Sequence, residues 1–424
     1  MTTGVDAPSS RLARQLTTGD AVVIGLGSMI GAGVFAAIGP AAAAAGGGML
    51  IGLAIAAIVA YCNATSSAQL AALYPESGGT YVYGRERLGP VWGYLAGWGF
   101  VVGKTASCAA MALTFGAYTA PDWARPIAAA AVVVLTAINY RGITKTAWVT
   151  RLLVALVLAA LAAVVVACLF GGEASVDHIG ALDAGGVTGV LQSAGLLFFA
   201  FAGFARIATL GEEVIDPART IPRAIPIALG ITLCVYALVT TTALLAVGPD
   251  ALAESEAPLS TAVQHGSLHA LAPAVRVGAA VASLGVLLSL ILGVSRTAFA
   301  MAADGNLPRW LDAVHPTHRV PHRAEAAVAV VVVAVVLLAD IRKAIGFSSF
   351  AVLVYYAIAN ASALTLRGVE RRSPRPLAIV GVVGCAVLAG TLPRQSVLIG
   401  GIVLAIGLTV HGLTRPRRVR SDHV

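Results

Sequence analysis

The chain has 424 residues, of which 58% are hydrophobic and 11% charged, and its mean hydropathy is +0.87. A soluble domain of this size does not need so much apolar surface, so the composition argues against a soluble protein and predicts a polytopic helical membrane protein. The formal net charge of +8 then indicates loops at an anionic inner leaflet of the lipid bilayer rather than a nucleic-acid partner.

Twelve apolar segments follow one another along the chain, and about 20 apolar residues suffice to cross a bilayer as a helix. They cover approximately residues 20–46, 48–73, 91–118, 124–139, 147–170, 189–210, 222–248, 272–301, 324–340, 344–366, 376–391 and 396–414. We therefore expect an all-α membrane protein with twelve transmembrane helices.

The distribution of Lys and Arg predicts the orientation. With an even number of spans both termini share one side, and the loops on that side carry 20 of the 28 Lys and Arg residues, whereas the opposite loops carry 5. The positive-inside rule therefore places both termini in the cytoplasm of a multi-pass protein of the cell (plasma or inner) membrane.

The first segment contains four glycines within nine residues, Gly25, Gly27, Gly31 and Gly33. Glycine costs about 1 kcal/mol relative to alanine in a helix interior, and backbone groups that are freed in hydrocarbon must find other partners. The cluster is typical of a broken helix whose bare backbone faces a cavity or a ligand. Close helix packing, through a pattern of small residues such as Gly27-x-x-x-Gly31, is the alternative.

The sixth segment is interrupted at Gly203, within residues 198–206. The first and sixth segments begin two successive groups of five, and paired interruptions at corresponding positions indicate a transporter binding site between two repeats. An odd number of spans in each repeat inverts the second copy. The predicted organisation is a cytoplasmic N-terminal tail (1–19), a first five-helix repeat (20–170), a second, inverted repeat (189–366), two additional transmembrane helices (376–414) and a basic cytoplasmic tail (415–424).

Four stretches, residues 25–35, 75–98, 198–225 and 295–324, carry a resemblance to a known family; the first reads GLGSMIGAGVF. In them the chain resembles the amino acid–polyamine–organocation (APC) transporter superfamily, on its cationic amino acid transporter-like branch. The resemblance implies a LeuT-like fold, a 5+5 inverted repeat with broken helices 1 and 6. It also implies a secondary active amino acid transporter, or permease, rather than an enzyme, with no cofactor and no metal site.

The two ends that a helix break exposes suit a zwitterion, because free amides attract an anion and free carbonyls a cation. We expect the substrate carboxylate at the amides near Ala32, Gly33 and Val34, and its ammonium group at carbonyls of both breaks. Phe201 and Phe204 either wall the pocket or pack against lipid or core. The predicted substrate-binding residues are Ile30, Gly31, Ala32, Gly33, Val34, Phe199, Ala200, Phe201, Ala202, Gly203 and Phe204.

The chain departs from its relatives near this site. Many of them carry a hydroxyl residue at the position of Ala32 and an acid at the position of Ala205. All 20 acidic residues here fall in loops or at segment ends, so we expect no carboxylate within the membrane. A neutral L-amino acid then fits better than arginine or lysine, and a cationic amino acid or polyamine exchanger is the alternative.

Lys104 lies in the middle of the third segment, and charged residues inside a membrane are functional candidates by default. It is a candidate for touching the substrate or for replacing a coupling cation. Relatives that use such a lysine place it in the fifth span, near Val157, where this chain has none. We expect coupling to protons; sodium, held by backbone carbonyls with Ser283 or Ser289, is the alternative.

Four further charges are candidates for an inner gate. Arg206 follows the second break, and Arg296 lies toward the cytoplasmic end of the eighth segment. Either arginine can pair with Glu212 or Glu213; the alternative is a static anchor.

Other chemistry is not expected. His315, His318 and His322 have a metal-like spacing but lie in a Pro-rich loop without an acid or cysteine partner set, so a solvated loop is favoured over a zinc site. The spans hold neither a Ser/His/Asp set nor paired carboxylates, which makes a membrane-embedded enzyme or sensor the weaker alternative.

Overall fold

The computed structural model describes residues 15–31, 33–75, 78–141, 147–172, 174–211 and 213–414. Within these residues the fold is helical, and the one β contact is an isolated bridge between Leu16 and Val214. The helices are α1 (Thr18–Met29), α2 (Gly33–Ala45), α3 (Met49–Leu73), α4 (Thr80–Leu88), α5 (Pro90–Thr119), α6 (Ala124–Tyr140), α7 (Ala147–Phe170), α8 (Gly186–Phe201), α9 (Ala205–Ala208), α10 (Pro217–Glu254), α11 (Pro258–Gln264), α12 (Ala272–Ala303), α13 (His322–Leu338), α14 (Ile341–Leu364), α15 (Arg375–Thr391) and α16 (Arg394–Thr414).

Each of the twelve apolar segments coincides with helix. The first is divided between α1 and α2 and the sixth between α8 and α9, whereas each of the others corresponds to one helix. Among the described residues, nine helical stretches are long and apolar enough to cross a membrane. This confirms a helical, multi-pass membrane architecture.

Local signals in the sequence account for several helix ends. Thr17 and Asp20 form a capping box at the start of α1, which satisfies amides that the first turn leaves free. Asp216 caps α10 and Pro217 occupies its first turn, where proline costs nothing because that amide has no helical partner. Gly248 adopts φ 73° inside α10, so this helix bends there and continues past the expected end at 248.

Two helices lie in stretches that the sequence indicated as loops. α4 is a helix of 9 residues that is too short and too polar to cross a membrane. It lies between Gly79, at φ 55°, and Gly89, at φ 107°, conformations that glycine adopts without a steric penalty. α11 is similarly short.

α5 lies near the centre of the bundle, where it packs along α12 and α14 and is mostly buried, whereas most residues of α6 are exposed or half-buried. α2 packs against α8 and α10, and α1 packs against α10 and the turn Ala202–Phe204. Both predicted interruptions therefore lie inside the bundle, within reach of side chains from α5, α10 and α14.

Candidate functional site

The first interruption separates α1 from α2. The amide of Ile30 donates to the carbonyl of Leu26 at 2.7 Å, Gly31 forms a turn, and α2 begins at Gly33. Ile30 and Val34 are 1% and 2% exposed. Since the first amides of a helix have no partner in that helix, the start of α2 presents donors inside the bundle. Ala32, a predicted ligand, lies outside the described residues.

The second interruption is a tighter turn rather than a gap. α8 ends at Phe201, a 3₁₀ turn covers Ala202–Phe204, and α9 follows from Ala205. Hydrogen bonds in a 3₁₀ turn join residues three apart instead of four. The change from α to 3₁₀ geometry therefore leaves carbonyls at the end of α8 open to other donors.

Tyrosine side chains reach the carbonyls at both interruptions. The Tyr236 hydroxyl, on α10, donates to the carbonyl of Met29 at 2.5 Å and lies 3.1 Å from that of Ala200. The Tyr356 hydroxyl, on α14, donates to the carbonyl of Ala202 at 3.2 Å. Sequence analysis did not single out these tyrosines. The available signal was their occurrence inside apolar segments, because a buried tyrosine hydroxyl usually has a partner.

Lys104 meets the second interruption. Its side chain is 7% exposed, and its ammonium nitrogen donates to the carbonyl of Ala202 at 3.4 Å. The carbonyl of Ala202, which the sequence predicted as a substrate ligand, thus already accepts a hydrogen bond from a cation of the protein itself. Among the described residues, Lys104 is one of two charged side chains that are buried.

The other buried charge is Glu325, in the first turn of α13, whose side chain is 0% exposed. It lies at a segment end, as expected for the acids of this chain. Its burial was not predicted, because it depends on neighbouring helices that the local sequence does not reveal. α13 packs chiefly on α5, α6 and α12, away from the two interruptions.

The glycines bring the two interruptions into direct contact. A Cβ atom on Gly203 would lie 2.2 Å from the carbonyl oxygen of Ser28, and one on Gly33 would lie 2.6 Å from Cα of Ala200. A Cβ on Gly31 would meet Val286 of α12. The sequence left a helix break and close helix packing as alternative explanations of the glycines. In the structure the two occur together.

The phenylalanines around the second interruption lie inside the bundle. Phe201 and Phe204 are both 0% exposed. Phe201 packs edge-on against Tyr236 with ring centroids 5.1 Å apart, and Phe204 lies 4.9 Å from the Tyr356 ring. Phe199 is half-buried. These contacts hold the two tyrosine hydroxyls at the interruptions.

One of the proposed gate pairs forms. A guanidinium nitrogen of Arg206 lies 3.4 Å from a carboxylate oxygen of Glu213 and another donates to the Thr209 hydroxyl at 3.2 Å. The backbone beside Glu213 also pairs with the segment before α1, since the amide of Leu16 donates to the Glu213 carbonyl at 3.0 Å. Arg296 acts electrostatically on Arg206 but has no ion pair among the described residues. Glu212 lies outside them.

Two stretches that carry the family resemblance interlock. The Tyr81 hydroxyl of α4 donates to Asp304 at 2.5 Å and accepts from the Asn306 amide at 2.8 Å. Burial and the neighbouring Asp304 raise the pKa of Tyr81 to about 12.

Arg87, at the end of α4, makes a two-point contact with Glu370 at 3.0 and 2.8 Å, and these hydrogen bonds hold the pKa of Glu370 below its usual value.

Three histidines cluster around Tyr140: His315 and His318 from the loop before α13, and His322, the first residue of that helix. Their ring centroids lie 5.2, 5.9 and 6.2 Å from that of Tyr140, and the Nδ1 atom of His315 accepts from the amides of Thr317 and His318. Among the described residues, no group of three His, Cys, Asp or Glu side chains has a geometry that suits a metal ion.

Comparison with known proteins agrees with this architecture. The sequence profile described as amino acid permease matches residues 16–406. A protein named as an uncharacterised transporter of Mycobacterium tuberculosis is 63% identical over 97% of this chain and 94% of its own. The branched-chain amino acid permease of Bacillus subtilis is 27% identical over 88% and 84% of the two chains, and the human cationic amino acid transporter 4 is 28% identical over 86% and 61%.

These matches extend over nearly the whole helical bundle, including both interruptions, the α4 stretch and Asp304. They identify a transporter of the APC type rather than an enzyme. The chain belongs to the amino acid permease family.

Proposed function

We propose that the protein is a secondary active transporter that takes up neutral L-amino acids with protons across the cell membrane by alternating access. The observation that carries this proposal is the ammonium group of Lys104, which is buried 3.4 Å from the carbonyl of Ala202. In this proposal, the Lys104 ammonium group takes the place of a coupling cation beside the carbonyl on which a substrate ammonium group is expected.

The charges near the interruptions favour a neutral substrate. Lys104 contributes a positive charge, and no acid among the described residues is placed against the carbonyls of Met29, Ala200 or Ala202. A second positive charge on the substrate would then be buried without an anion, which is costly in a low-dielectric site. The relative named as a branched-chain permease supports this choice, whereas the relative named as a cationic transporter supports the alternative substrate class.

Proton coupling follows from the same residue. A lysine that gains and loses a proton changes the charge beside α8 by one unit, and the neutral amine no longer replaces a cation.

For coupling to sodium, the alternative, the sequence indicated Ser283 or Ser289 as ligands of the ion. Ser289 is exposed on the bundle surface, whereas Ser283 is buried, and both hydroxyls donate to carbonyls in their own helix.

The proposed topology has twelve spans in a 5+5 inverted repeat plus two helices, with both termini in the cytoplasm. α13 and α15 are among the shortest candidates, with 17 residues each, or about 26 Å at about 1.5 Å per residue. That length is at the lower limit for a span. Removing either helix from the count would place its neighbouring Arg-rich loops on opposite sides of the membrane.

An uptake assay in proteoliposomes tests the function. Wild-type protein is given radiolabelled leucine, alanine, arginine or putrescine under an imposed proton or sodium gradient. We expect accumulation of leucine or alanine with an inward proton gradient and no effect of sodium. Arginine uptake without any neutral uptake would refute the substrate class, and strict dependence on sodium would refute proton coupling.

Lys104→Met tests the residue that carries the proposal, with Lys343→Met as the matched control because Lys343 is exposed and paired with Asp340. We expect the first variant to lose accumulation driven by protons and the second to keep it. Intact accumulation in Lys104→Met would remove Lys104 from the mechanism.

A further inference from the structure

A buried carboxyl group lies outside the site described so far. Glu325 belongs to the first turn of α13, its side chain is 0% exposed, and neither carboxyl oxygen has a hydrogen-bond partner among the described residues. Its own amide donates to the carbonyl of Pro321 at 3.0 Å. It is the one acidic side chain that is fully buried in the described part of the chain.

A guanidinium group acts on this carboxyl without binding it. Arg296, on α12, exerts an electrostatic attraction on Glu325 and a repulsion on Arg206. Its side chain is exposed and has no hydrogen bond or ion pair among the described residues. A buried acid and an exposed guanidinium without an ion pair among the described residues therefore lie on two helices, α13 and α12, that pack against each other.

The elements packed against α13 carry charges of both signs. α5 carries Lys104 and α6 ends at Tyr140, while α13 itself carries His322 and Arg323. The acids at the ends of neighbouring elements are Asp304, which lies at the end of α12 and pairs with Tyr81 and Arg85, and Asp312, which follows the 3₁₀ turn Arg309–Leu311. None of these groups forms a hydrogen bond to the carboxyl oxygens of Glu325.

The protonation state of Glu325 follows from the cost of burial. An ionised carboxylate without a partner is far more expensive to bury than a neutral carboxylic acid. A carboxylate that forms a hydrogen-bonded pair with a guanidinium recovers much of that cost. This conformation therefore suits the protonated acid, and a conformation in which Arg296 reaches Glu325 suits the carboxylate.

We propose that Glu325 is a proton-binding site of the transporter, protonated in this conformation and ionised when Arg296 pairs with it. When the proton leaves the carboxyl oxygen for water at this end of the bundle, the guanidinium of Arg296 turns toward α13. That movement relieves its repulsion of Arg206 and leaves the Arg206–Glu213 pair with one cation fewer beside it. The proton on Glu325 thereby biases the Arg206–Glu213 pair and, through it, the backbone contact between Leu16 and Glu213.

The role in transport rests on the proposed function, whereas the protonation state does not. Infrared spectroscopy of the full-length protein in lipid nanodiscs at neutral pH measures protonation directly, through the carbonyl stretch of a carboxylic acid. We expect this band in the wild type and its loss in Glu325→Gln. Glu370→Gln is the control, because Glu370 is ionised by its two-point contact with Arg87 and its removal should leave the band unchanged.

Wild-type protein without the band, or a band that remains in Glu325→Gln, would overturn the proposal whether or not the protein transports any amino acid tested. The second arm compares exchange and accumulation of radiolabelled leucine in proteoliposomes. Gln resembles the protonated acid and cannot release a proton, so Glu325→Gln should keep exchange and lose accumulation driven by protons. Accumulation equal to that of the wild type would overturn the coupling role.

Discussion

Replacing Tyr236 with phenylalanine removes one hydroxyl from the centre of the bundle and leaves the aromatic ring in place. That hydroxyl lies 2.5 Å from the carbonyl of Met29, the last residue of α1, and 3.1 Å from the carbonyl of Ala200 in α8. The ring is 2% exposed and packs against Phe201. The variant therefore tests the hydrogen bonds alone, because the packing of the ring is retained.

The expected loss follows from the two carbonyls that share this donor. A buried polar group left without a partner costs about 1–3 kcal/mol, whereas hydrogen bonds between membrane helices average about 0.6 kcal/mol and reach about 1.7 kcal/mol. The single hydroxyl proton of Tyr236 can form a full hydrogen bond with only one of the two carbonyls at a time. We therefore expect the free energy of unfolding to fall by about 1–2 kcal/mol, which corresponds to a factor of about 5 to 30 in the equilibrium constant.

Unfolding of the purified protein in mixed detergent micelles, followed by circular dichroism as the fraction of denaturing detergent rises, measures this loss. Tyr61→Phe is the matched control, because Tyr61 is 47% exposed and its hydroxyl is open to the surroundings. The reasoning is refuted if Tyr236→Phe unfolds at the same detergent fraction as the wild type and as Tyr61→Phe.

Two further substitutions test the interruptions and the α4 contact. Gly203→Ala should lower the free energy of unfolding by about 1–3 kcal/mol through overpacking, because its Cβ would lie 2.2 Å from a backbone oxygen; Gly230→Ala has no atom within 4 Å of its Cβ and should be neutral or stabilising. Equal stability of these two alanine variants in the same unfolding assay would contradict the direct contact. Tyr81 keeps its proton in the folded state up to a pKa of about 12 but loses it from about pH 10 in the unfolded chain, so stability should fall as pH rises through that window. Thermal unfolding of Tyr81→Phe should show a smaller alkaline decrease than that of the wild type, and an identical decrease in both proteins would assign it to other groups.

The sequence predicted the interruptions because glycine patterns are local. Four glycines within nine residues marked the first one, and α1 does end there, at Met29. The groups that satisfy the exposed carbonyls were not predicted. Tyr236 is 207 residues from Met29, and Tyr356 is 154 residues from Ala202. No local pattern encodes which of the apolar segments will lie beside an interruption.

Of the two buried charges, one could be predicted from the sequence and the other could not. Lys104 was recognised because a lysine in the middle of an apolar segment cannot easily extend to the interface. Glu325 was not recognised, because an acid at the start of a helix usually faces water and favours the helix N-terminus. Its burial arises from α5, α6 and α12 packing on α13, a tertiary property. The first turn of a membrane helix is thus a position where the local sequence does not reveal that a charged residue is buried.

The carbonyls at the two interruptions are already occupied by donors that belong to the protein. Tyr236 serves Met29 and Ala200, while Tyr356 and Lys104 serve Ala202. A substrate ammonium group that binds these carbonyls must displace a hydroxyl or the lysine, so its net gain is the difference between two sets of hydrogen bonds. The displaced donors lie on α10, α14 and α5, which are packed against α1, α3 and α12. Under the proposed function, binding and rearrangement of these helices are therefore one event, since a ligand shifts a conformational equilibrium only through contacts that differ between the states.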